Sequence, residues 1–269
     1  MPATPLYLCG AVESALDLAH TFTAASCLPV WGSVLAGCQR SGRGQLRRRW
    51  ISPPGNIYGA LRLPFAAPFT SSAAALVVGT LLVEAFMRQG IRLSLKWPND
   101  LLLTPSPESG ASQICPVGKV GGILLEERAG ALIAGIGINV ASAPSCEHIR
   151  EGGLPAACLN DLPHSTIREM DMLLDIWSHL VDSFIFCYRQ RAKRGNNAWL
   201  ASAEELLVWK GEQVLLDDGE CYRGVLLGLA ASGGVRLLCN GTEKEFLSGH
   251  LSPSHNPIFP KVVLLHENI

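Results

Sequence analysis

Four segments of the sequence place charged residues or glycines inside apolar surroundings, where they could bind or activate an anion. They are GRGQLRRRW at residues 42–50, KWPND at 96–100, GKVGG at 118–122 and GIGIN at 135–139. Glycines let backbone N–H groups approach an anion closely, and arginine forks match phosphate oxygens in pairs. Glycines inside an apolar strand usually mark a bulge or a group packed against the backbone. Together these residue types could bind an anion such as a carboxylate or a phosphate.

Each segment also has an ordinary structural interpretation. An arginine run is typical of a solvated loop, a glycine–lysine pair of a surface turn, and KWPND of a strand end followed by a turn. A patch for RNA or DNA is a further alternative for the arginine run. The formal net charge of −1 at pH 7, however, provides no global field that would attract nucleic acid.

In their order and spacing, the segments resemble those of the biotin protein ligases, also called biotin–acetyl-CoA-carboxylase ligases. The resemblance runs from about residue 13 to residue 253. Its matching blocks are QRSGRGQLRRRW (39–50), SPPGNIY (52–58), KWPND (96–100), GKVGGILLE (118–126) and GIGINV (135–140). The segments GVLLGLAASGGVRLL and SGHLS look like the small SH3-like C-terminal domain of that family.

The resemblance implies a reaction in two steps. The carboxylate of biotin attacks the α-phosphate of ATP, which gives biotinyl-5′-adenylate and pyrophosphate. The ε-amine of a lysine on the biotin carboxyl carrier domain of a biotin-dependent carboxylase then attacks the acyl carbon and displaces AMP. Because two anions meet in the first step, cationic side chains and Mg²⁺ are expected to screen their repulsion.

The resemblance also assigns roles to individual residues, without identifying a metal ligand. Lys119 would bridge the biotin carboxylate and the α-phosphate, Arg43 would lie on the phosphate side, and Trp50 would cover the adenine. The expected catalytic residues are Arg43, Lys119 and Asp100. The expected biotin-binding residues are Ser14, Gln39, Gly42, Arg43, Lys119, Gly121 and Gly122. The expected ATP-binding residues are Arg43, Gln45, Arg48, Trp50, Asn99 and Asn139.

Two departures from the family pattern affect these expectations. Where the family usually reads STND, this chain has SALD at residues 14–17, so a hydroxyl and an amide are missing. The loss of one hydrogen bond to biotin would cost about 1 kcal/mol, or about fivefold in affinity. The frequent GRGR is here GRGQ, and we expect biotinyl-adenylate to leak faster unless Arg47 or Arg48 replaces the missing charge. A non-catalytic biotin or adenylate binder and a lipoate-type ligase are the alternatives; the retained Arg43, Lys119 and Asp100 favour an active ligase.

Hydrophobic periodicity predicts the elements that must position these residues. Helices are predicted over residues 13–25, 71–89 and 166–190, the last with a capping box of Thr166 and Glu169. The apolar stripe between Leu173 and Tyr188 is expected to be core. Strands are predicted over residues 29–36, 57–63, 93–97, 122–126 and 131–140, with a surface loop over 104–117. After residue 209, short strands with glycine-rich connections are typical of a small β-barrel.

The expected fold is therefore α+β: a mixed sheet with flanking helices, class II synthetase-like, followed by an SH3-like barrel. We divide it into a catalytic domain over residues 1–203 and a barrel domain over 204–269. The catalytic match begins by about residue 13, so we expect no room for the N-terminal DNA-binding domain of some relatives and no repressor activity. The loop over 42–49 is expected to be poorly packed without ligand.

The composition indicates the cellular compartment and the kind of partner expected for this protein. No apolar run reaches the roughly 18 residues that span a bilayer, and no secretory signal opens the chain. Nine scattered cysteines without a C-x-x-C pair predict reduced, mostly buried thiols in a cytoplasmic protein. The expected partner is the carrier domain, with no nucleic acid and no membrane. The oligomeric state stays open, a homodimer being one alternative.

Overall fold

A computed structural model of the chain describes residues 4–103, 118–145, 154–162, 170–193 and 198–254. Within these ranges, two β-sheets and four α-helices form the fold. The predicted loop over 104–117 and the predicted capping box of Thr166 and Glu169 lie outside the described residues.

The first sheet has seven strands and is mixed, as predicted. Its strands are β1 (Leu6–Val12), β2 (Ser33–Gln39), β3 (Ile57–Leu63), β4 (Leu93–Lys96), β5 (Asp100–Leu103), β6 (Gly118–Arg128) and β7 (Ala131–Ile138). The spatial order is β1-β2-β3-β7-β6-β5-β4. The β1–β2 pair is parallel and the remaining pairs are antiparallel.

Helices cover both faces of this sheet. They are α1 (Ala15–Ala24), α2 (Ala74–Met87), α3 (Met170–Ala192) and α4 (Ala198–Glu205). Alternate residues of β3 point to opposite faces: Tyr58 packs in a cluster with α1, whereas Ile57 packs in the larger core with α2 and α3. Trp177 of α3 packs against Gly59, where a Cβ would lie 2.1 Å from the indole ring. The predicted core stripe of this helix is confirmed, since its members are buried or pack against the core.

The second sheet is antiparallel and forms the predicted all-β segment. Its strands are β8 (Gln213–Asp217), β9 (Cys221–Leu229), β10 (Val235–Cys239), β11 (Thr242–Phe246) and β12 (His250–Pro253), in the order β11-β10-β9-β8-β12. Its apolar face belongs to the same core cluster as α2 and α3. The predicted domain boundary at residues 203/204 falls within α4 and stays a prediction.

Several predicted elements have different bounds or neighbours in the structure. β2 starts at Ser33 instead of Pro29, because Gly32 donates to the Pro29 carbonyl in a turn that precedes the strand. The strand predicted over 93–97 is β4, which ends at Lys96, and a turn then leads into β5, which pairs antiparallel with β4 through Lys96 and Asp100. β1, β5 and α4 were not predicted. β3 has the predicted bounds.

The expectation of mostly buried thiols is wrong for the described cysteines. Cys158, Cys187 and Cys239 are buried, whereas Cys27 and Cys221 are exposed. Seven cysteines are described, and all of them are free thiols. In the described part of the chain, no helix combines the length and the apolar character that crossing a membrane requires.

Candidate active site

Most of the predicted site residues line one cavity of about 860 Å³. Its walls come from the start of α1, the β2–β3 connection, the β4–β5 hairpin, β6 and β7, together with two connections of the second sheet. The predicted residues that line it are Ser14, Gln39, Arg43, Gln45, Arg48, Trp50, Asn99, Asp100, Lys119, Gly122 and Asn139. Residues separated by up to 125 positions therefore meet in one space.

Asp100 holds two lysines, and we call Lys96, Asp100 and Lys119 the lysine–aspartate triad. Lys119 Nζ lies 2.6 Å from Asp100 Oδ1, and Lys96 Nζ donates to Oδ2 at 2.8 Å. Burial alone would raise the pKa of Asp100, but the charges of Lys119 and Lys96 outweigh it and hold that pKa well below its ordinary value. The Lys96 side chain is 2% exposed and that of Lys119 is 32% exposed. The triad thus carries one net positive charge and presents Lys119 to the cavity.

A β-bulge aims Lys119 at the cavity. In the β5–β6 pairing, Leu101 faces Gly121 and Leu102 faces Lys119, so Val120 is an extra residue. A bulge shifts the alternation of side chains by one position. Lys119 and Gly122 consequently share a face: a Cβ built at position 122 would lie 3.6 Å from Lys119 Cε. A Cβ at Gly121 would instead meet Ile138 and the Gly137 carbonyl, and Gly121 is not among the cavity-lining residues.

Trp50 lies across two paired glycines of β6 and β7. Gly122 and Gly137 are register partners, and a Cβ at position 137 would lie 2.7 Å from Trp50 Nε1. The Lys119 ammonium is 5.3 Å from the centre of the Trp50 ring, within the range of a cation–π contact. The expectation that glycines in this strand mark a group packed against the backbone is confirmed for Gly137. Within the described residues, the buried indole N–H of Trp50 has no hydrogen-bond partner.

Arg43 is held by two carboxylates, which we call the Arg43 clamp: Asp17 of α1 and Glu126 of β6. Its terminal nitrogens donate to Asp17 at 2.5 and 2.7 Å, and Nε donates to Glu126 at 3.3 Å. The hydrogen bond from Arg43 lowers the pKa of Asp17 to about 2, against the opposing effect of burial. Arg128 completes the network by pairing with both carboxylates.

Ser14 and Gln39 organise the start of α1 beside the cavity. Ser14 is the N-cap residue, and its Oγ accepts from the Asp17 N–H at 3.3 Å. Gln39 Oε1 accepts from the Ala15 N–H at 2.9 Å, and its Nε2 donates to Ser52 Oγ at 3.0 Å. Gly42 is buried beneath these groups rather than lining the cavity, and a Cβ there would lie 2.6 Å from Ser52 Oγ. Direct ligand contacts of Gly42 and Gly121 stay predictions.

The two asparagines hold backbone segments at the cavity wall. Asn99 Nδ2 donates to the Ile123 carbonyl at 2.7 Å, which ties the hairpin turn to β6. The buried Asn139 donates to the Ala157 carbonyl at 3.1 Å. Both amides therefore have a structural bond in addition to their place in the cavity lining.

The loop expected to be poorly packed is ordered at its ends and exposed in its middle. Arg43 and Arg49 form a β-bridge, and the Gly44 N–H donates to the Arg48 carbonyl at 2.8 Å. Leu46 is 83% exposed and has a φ of 54°. The expectation holds for Leu46 and is wrong for Arg43, because the Arg43 clamp fixes that side chain.

Several residues that shape the site had no role predicted from the sequence. Asp17 and Glu126 hold Arg43, Lys96 holds Asp100, and Leu16 lies over Gly135 at 3.5 Å from a Cβ built there. One signal was available for Lys96, because a lysine four residues before an aspartate in a hairpin can face it across the turn. No local pattern joins Arg43 to Asp17 or Glu126, which are 26 and 83 residues away.

Comparisons with known proteins found chains that are similar in sequence and in fold. Residues 24–142 match the model of the Biotin/lipoate A/B protein ligase family. The chain is 31% identical over 220 residues to the biotin–[acetyl-CoA-carboxylase] ligase of Paracoccus denitrificans, an alignment that covers 76% of this chain and 82% of that protein. It is 26% identical over 236 residues to the bifunctional ligase/repressor BirA of Escherichia coli, covering 81% of this chain and 65% of BirA. The structure of the biotin protein ligase from Aquifex aeolicus in complex with biotin and ATP has a TM-score of 0.71 at 26% identity, covering 93% of this chain and 98% of that one. The predicted α+β fold class is confirmed.

Proposed function

Because this chain belongs to the biotin/lipoate A/B protein ligase family, we propose that it is an enzyme that uses ATP to attach biotin to a lysine of a biotin carboxyl carrier domain. The reaction passes through biotinyl-5′-adenylate and releases pyrophosphate and AMP. The observation that carries the proposal is that Arg43 and the lysine–aspartate triad line the same cavity. The paired glycines of β6 and β7 and the indole of Trp50 line it too.

In the first step, the protein has to bring the biotin carboxylate to the α-phosphate of ATP. Lys119 is the group suited to stand between them, since its ammonium faces the cavity and Asp100 fixes its position. Preorganised charge of this kind stabilises a transition state without reorganisation during the reaction. The Gly122–Gly137 pair leaves the sheet surface flat, so Trp50 packs directly on it and a planar ligand group could lie beside the indole.

Arg43 is the second cation of the proposed site. The Arg43 clamp uses both terminal nitrogens and Nε, so the guanidinium must share or exchange a carboxylate to bind phosphate in a bidentate manner. The clamp therefore sets the resting position from which Arg43 engages an anion.

The described residues contain no group of three or more His, Cys, Asp or Glu side chains that could hold a metal ion, and Asp100 is not free to act as a magnesium ligand. Both carboxylate oxygens of Asp100 already accept from lysine ammonium groups. Mg²⁺ usually keeps several waters and binds through substrate phosphates with one or two carboxylates. We therefore expect Mg²⁺ to enter with ATP, and we assign no step to protein ligands of the ion.

In the second step, the carrier lysine has to reach the acyl carbon of the adenylate. Asp100 stays ionised at neutral pH, because its pKa is held well below its ordinary value. It can therefore keep Lys119 in place while AMP leaves, and no covalent bond to the enzyme is required.

The test is to mix the protein with biotin, ATP, Mg²⁺ and a carrier domain, and to measure the carrier by mass spectrometry. We expect one biotinyl group on one carrier lysine, and its loss when ATP is omitted. Lys119→Ala should abolish most of the labelling, whereas Lys244→Ala, an exposed lysine outside the cavity lining, should leave it unchanged. Binding of biotin without labelling or pyrophosphate release would instead support the non-catalytic alternative.

Two finer expectations have their own tests. Replacing biotin by lipoate in the same reaction tests the lipoate-type alternative, which predicts faster transfer of lipoate than of biotin. A homodimer is tested by sedimentation velocity with and without biotin and ATP.

A further inference from the structure

Trp97 is the one member of the KWPND segment that does not line the cavity. Lys96, Pro98, Asn99 and Asp100 all line it. Trp97 is 1% exposed and turned into the core, where its indole N–H donates to the Gly233 carbonyl at 3.0 Å. Gly233 lies in the turn between β9 and β10, 136 residues further along the chain. This bond joins the second sheet to the hairpin that carries the lysine–aspartate triad.

The β9–β10 turn fits closely against the start of α2. Gly233 has a φ of 84°, and a Cβ there would lie 2.6 Å from Ala73 Cβ and 2.8 Å from Ala73 Cα. Ser72 Oγ donates to the neighbouring Ser232 carbonyl. The turn is thus held from two sides, by Ser72 and Ala73 at the start of α2 and by the indole N–H of Trp97.

The same sheet also supplies a wall of the cavity. Asp218, Gly219, Leu247 and Ser248, from its β8–β9 and β11–β12 connections, line the cavity. The ladders β10–β9–β8–β12 connect these residues to the β9–β10 turn. A shift at Gly233 would thus be transmitted both to this wall and to the hairpin.

We propose that Trp97 is a positioning residue for the ligase reaction: its bond to Gly233 seats the second sheet against the β4–β5 hairpin and so fixes the triad relative to the cavity wall. The inference rests on the proposed function. It assigns the tryptophan of KWPND to the geometry of the site rather than to ligand contact. A displacement of reacting groups by about 1 Å can lower the reaction rate up to about a hundredfold. Even a small shift of the second sheet against the hairpin should therefore lower kcat measurably.

The test perturbs the contact between Trp97 and Gly233 by substituting each residue in turn. Trp97→Phe keeps a buried aromatic side chain, although a smaller one, and removes the N–H donor. Gly233→Ala leaves Trp97 intact and forces the turn away from Ala73. Gly241→Ala is the matched control, because Gly241 lies in the β10–β11 turn with a φ of 79° and has nothing within 4 Å of an added Cβ. All proteins are compared by biotin-dependent exchange of pyrophosphate into ATP, well below their unfolding temperatures.

We expect Trp97→Phe and Gly233→Ala to lower kcat about tenfold in fully folded protein, with KM for biotin within about twofold of the starting protein. Gly241→Ala should retain kcat. A purely stabilising role of Trp97 would lower the unfolding temperature and leave kcat of the folded protein unchanged, and that result would overturn the inference. If Trp97→Phe does not fold, Gly233→Ala decides. If the unsubstituted protein and Gly241→Ala both show no biotin-dependent exchange, it is the proposed function that fails.

Discussion

Arg43 donates hydrogen bonds from both terminal nitrogens to the carboxylate of Asp17, at 2.5 and 2.7 Å. Asp17 lies in the first turn of α1, directly after Ala15 and Leu16, the two residues in which this chain departs from its family's usual motif. The cation expected to face phosphate thus has an internal anionic partner. Asp17 should consequently affect both the stability of the protein and its use of ATP.

Asp17→Asn should destabilise the protein in a manner that depends on pH. The pKa of Asp17 is lowered from 3.8 to about 2, mainly by the hydrogen bond from Arg43. A carboxyl group with a lower pKa in the folded state stabilises that state above its unfolded pKa, and this contribution is lost as the pH falls toward the folded value. The difference in free energy of unfolding between the two proteins should be full at pH 7 and shrink between about pH 4 and pH 2. Urea unfolding across this range measures it.

The control for this prediction is Glu13→Gln. Glu13 pairs with Arg40, but both side chains are about two-thirds exposed, at 65% and 66%. Exposed ion pairs contribute little to stability. A loss for Asp17→Asn that is no larger than that for Glu13→Gln, or that persists unchanged near pH 2, would contradict the importance of the Arg43 clamp.

Gly137→Ala should displace Trp50 from the sheet. An added Cβ would lie 2.7 Å from the indole ring, which must move away from Lys119. Because stacking of an aromatic side chain on a base contributes about 1–3 kcal/mol, we expect KM for ATP to rise about tenfold. Gly135→Ala is the matched control on the same strand, since its nearest neighbours would be at 3.4–3.5 Å. Equal KM values for the two variants would argue against an adenine cover by Trp50.

Gln45→Arg should slow the loss of biotinyl-adenylate. Gln45 is exposed and lines the cavity, so an arginine there could place a charge near the phosphate. We expect the dissociation rate to fall about fivefold, the factor that corresponds to about 1 kcal/mol. The rate is measured by chasing preformed adenylate with excess unlabelled biotin. Gln213→Arg adds the same charge at an exposed position outside the cavity lining, and a similar slowing there would show that the effect is nonspecific.

The sequence predicted the parts of the fold and site that depend on local patterns. The bounds of β3 follow from an apolar run between turn signals, and the helix predicted over 71–89 contains α2. The convergence of Arg43, Asp100 and Lys119 on one cavity followed from the family resemblance, which preserves the order and spacing of the motifs.

Features that depend on long-range pairing were not predictable. β5 was not predicted, because its place in the sheet depends on its pairing with β6 as well as with β4. The bulge at Val120, which turns Gly121 away from the cavity, exists only in the pairing with β5. The burial of Trp97 against Gly233 requires the second sheet to be in place. Each of these features is set by contacts between segments distant in sequence, and the hydrophobic periodicity of a single segment does not predict such contacts.

The central claim is that Lys119, held by Asp100 within the cavity, promotes the reaction of biotin with ATP. The most direct measurement is the biotin-dependent exchange of radioactive pyrophosphate into ATP by the unsubstituted protein and by Lys119→Gln. Loss of a positioned electrostatic group typically costs about a hundredfold to a thousandfold in kcat, and we predict a loss of that size for Lys119→Gln. Exchange by Lys119→Gln at the rate of the unsubstituted protein would contradict the account.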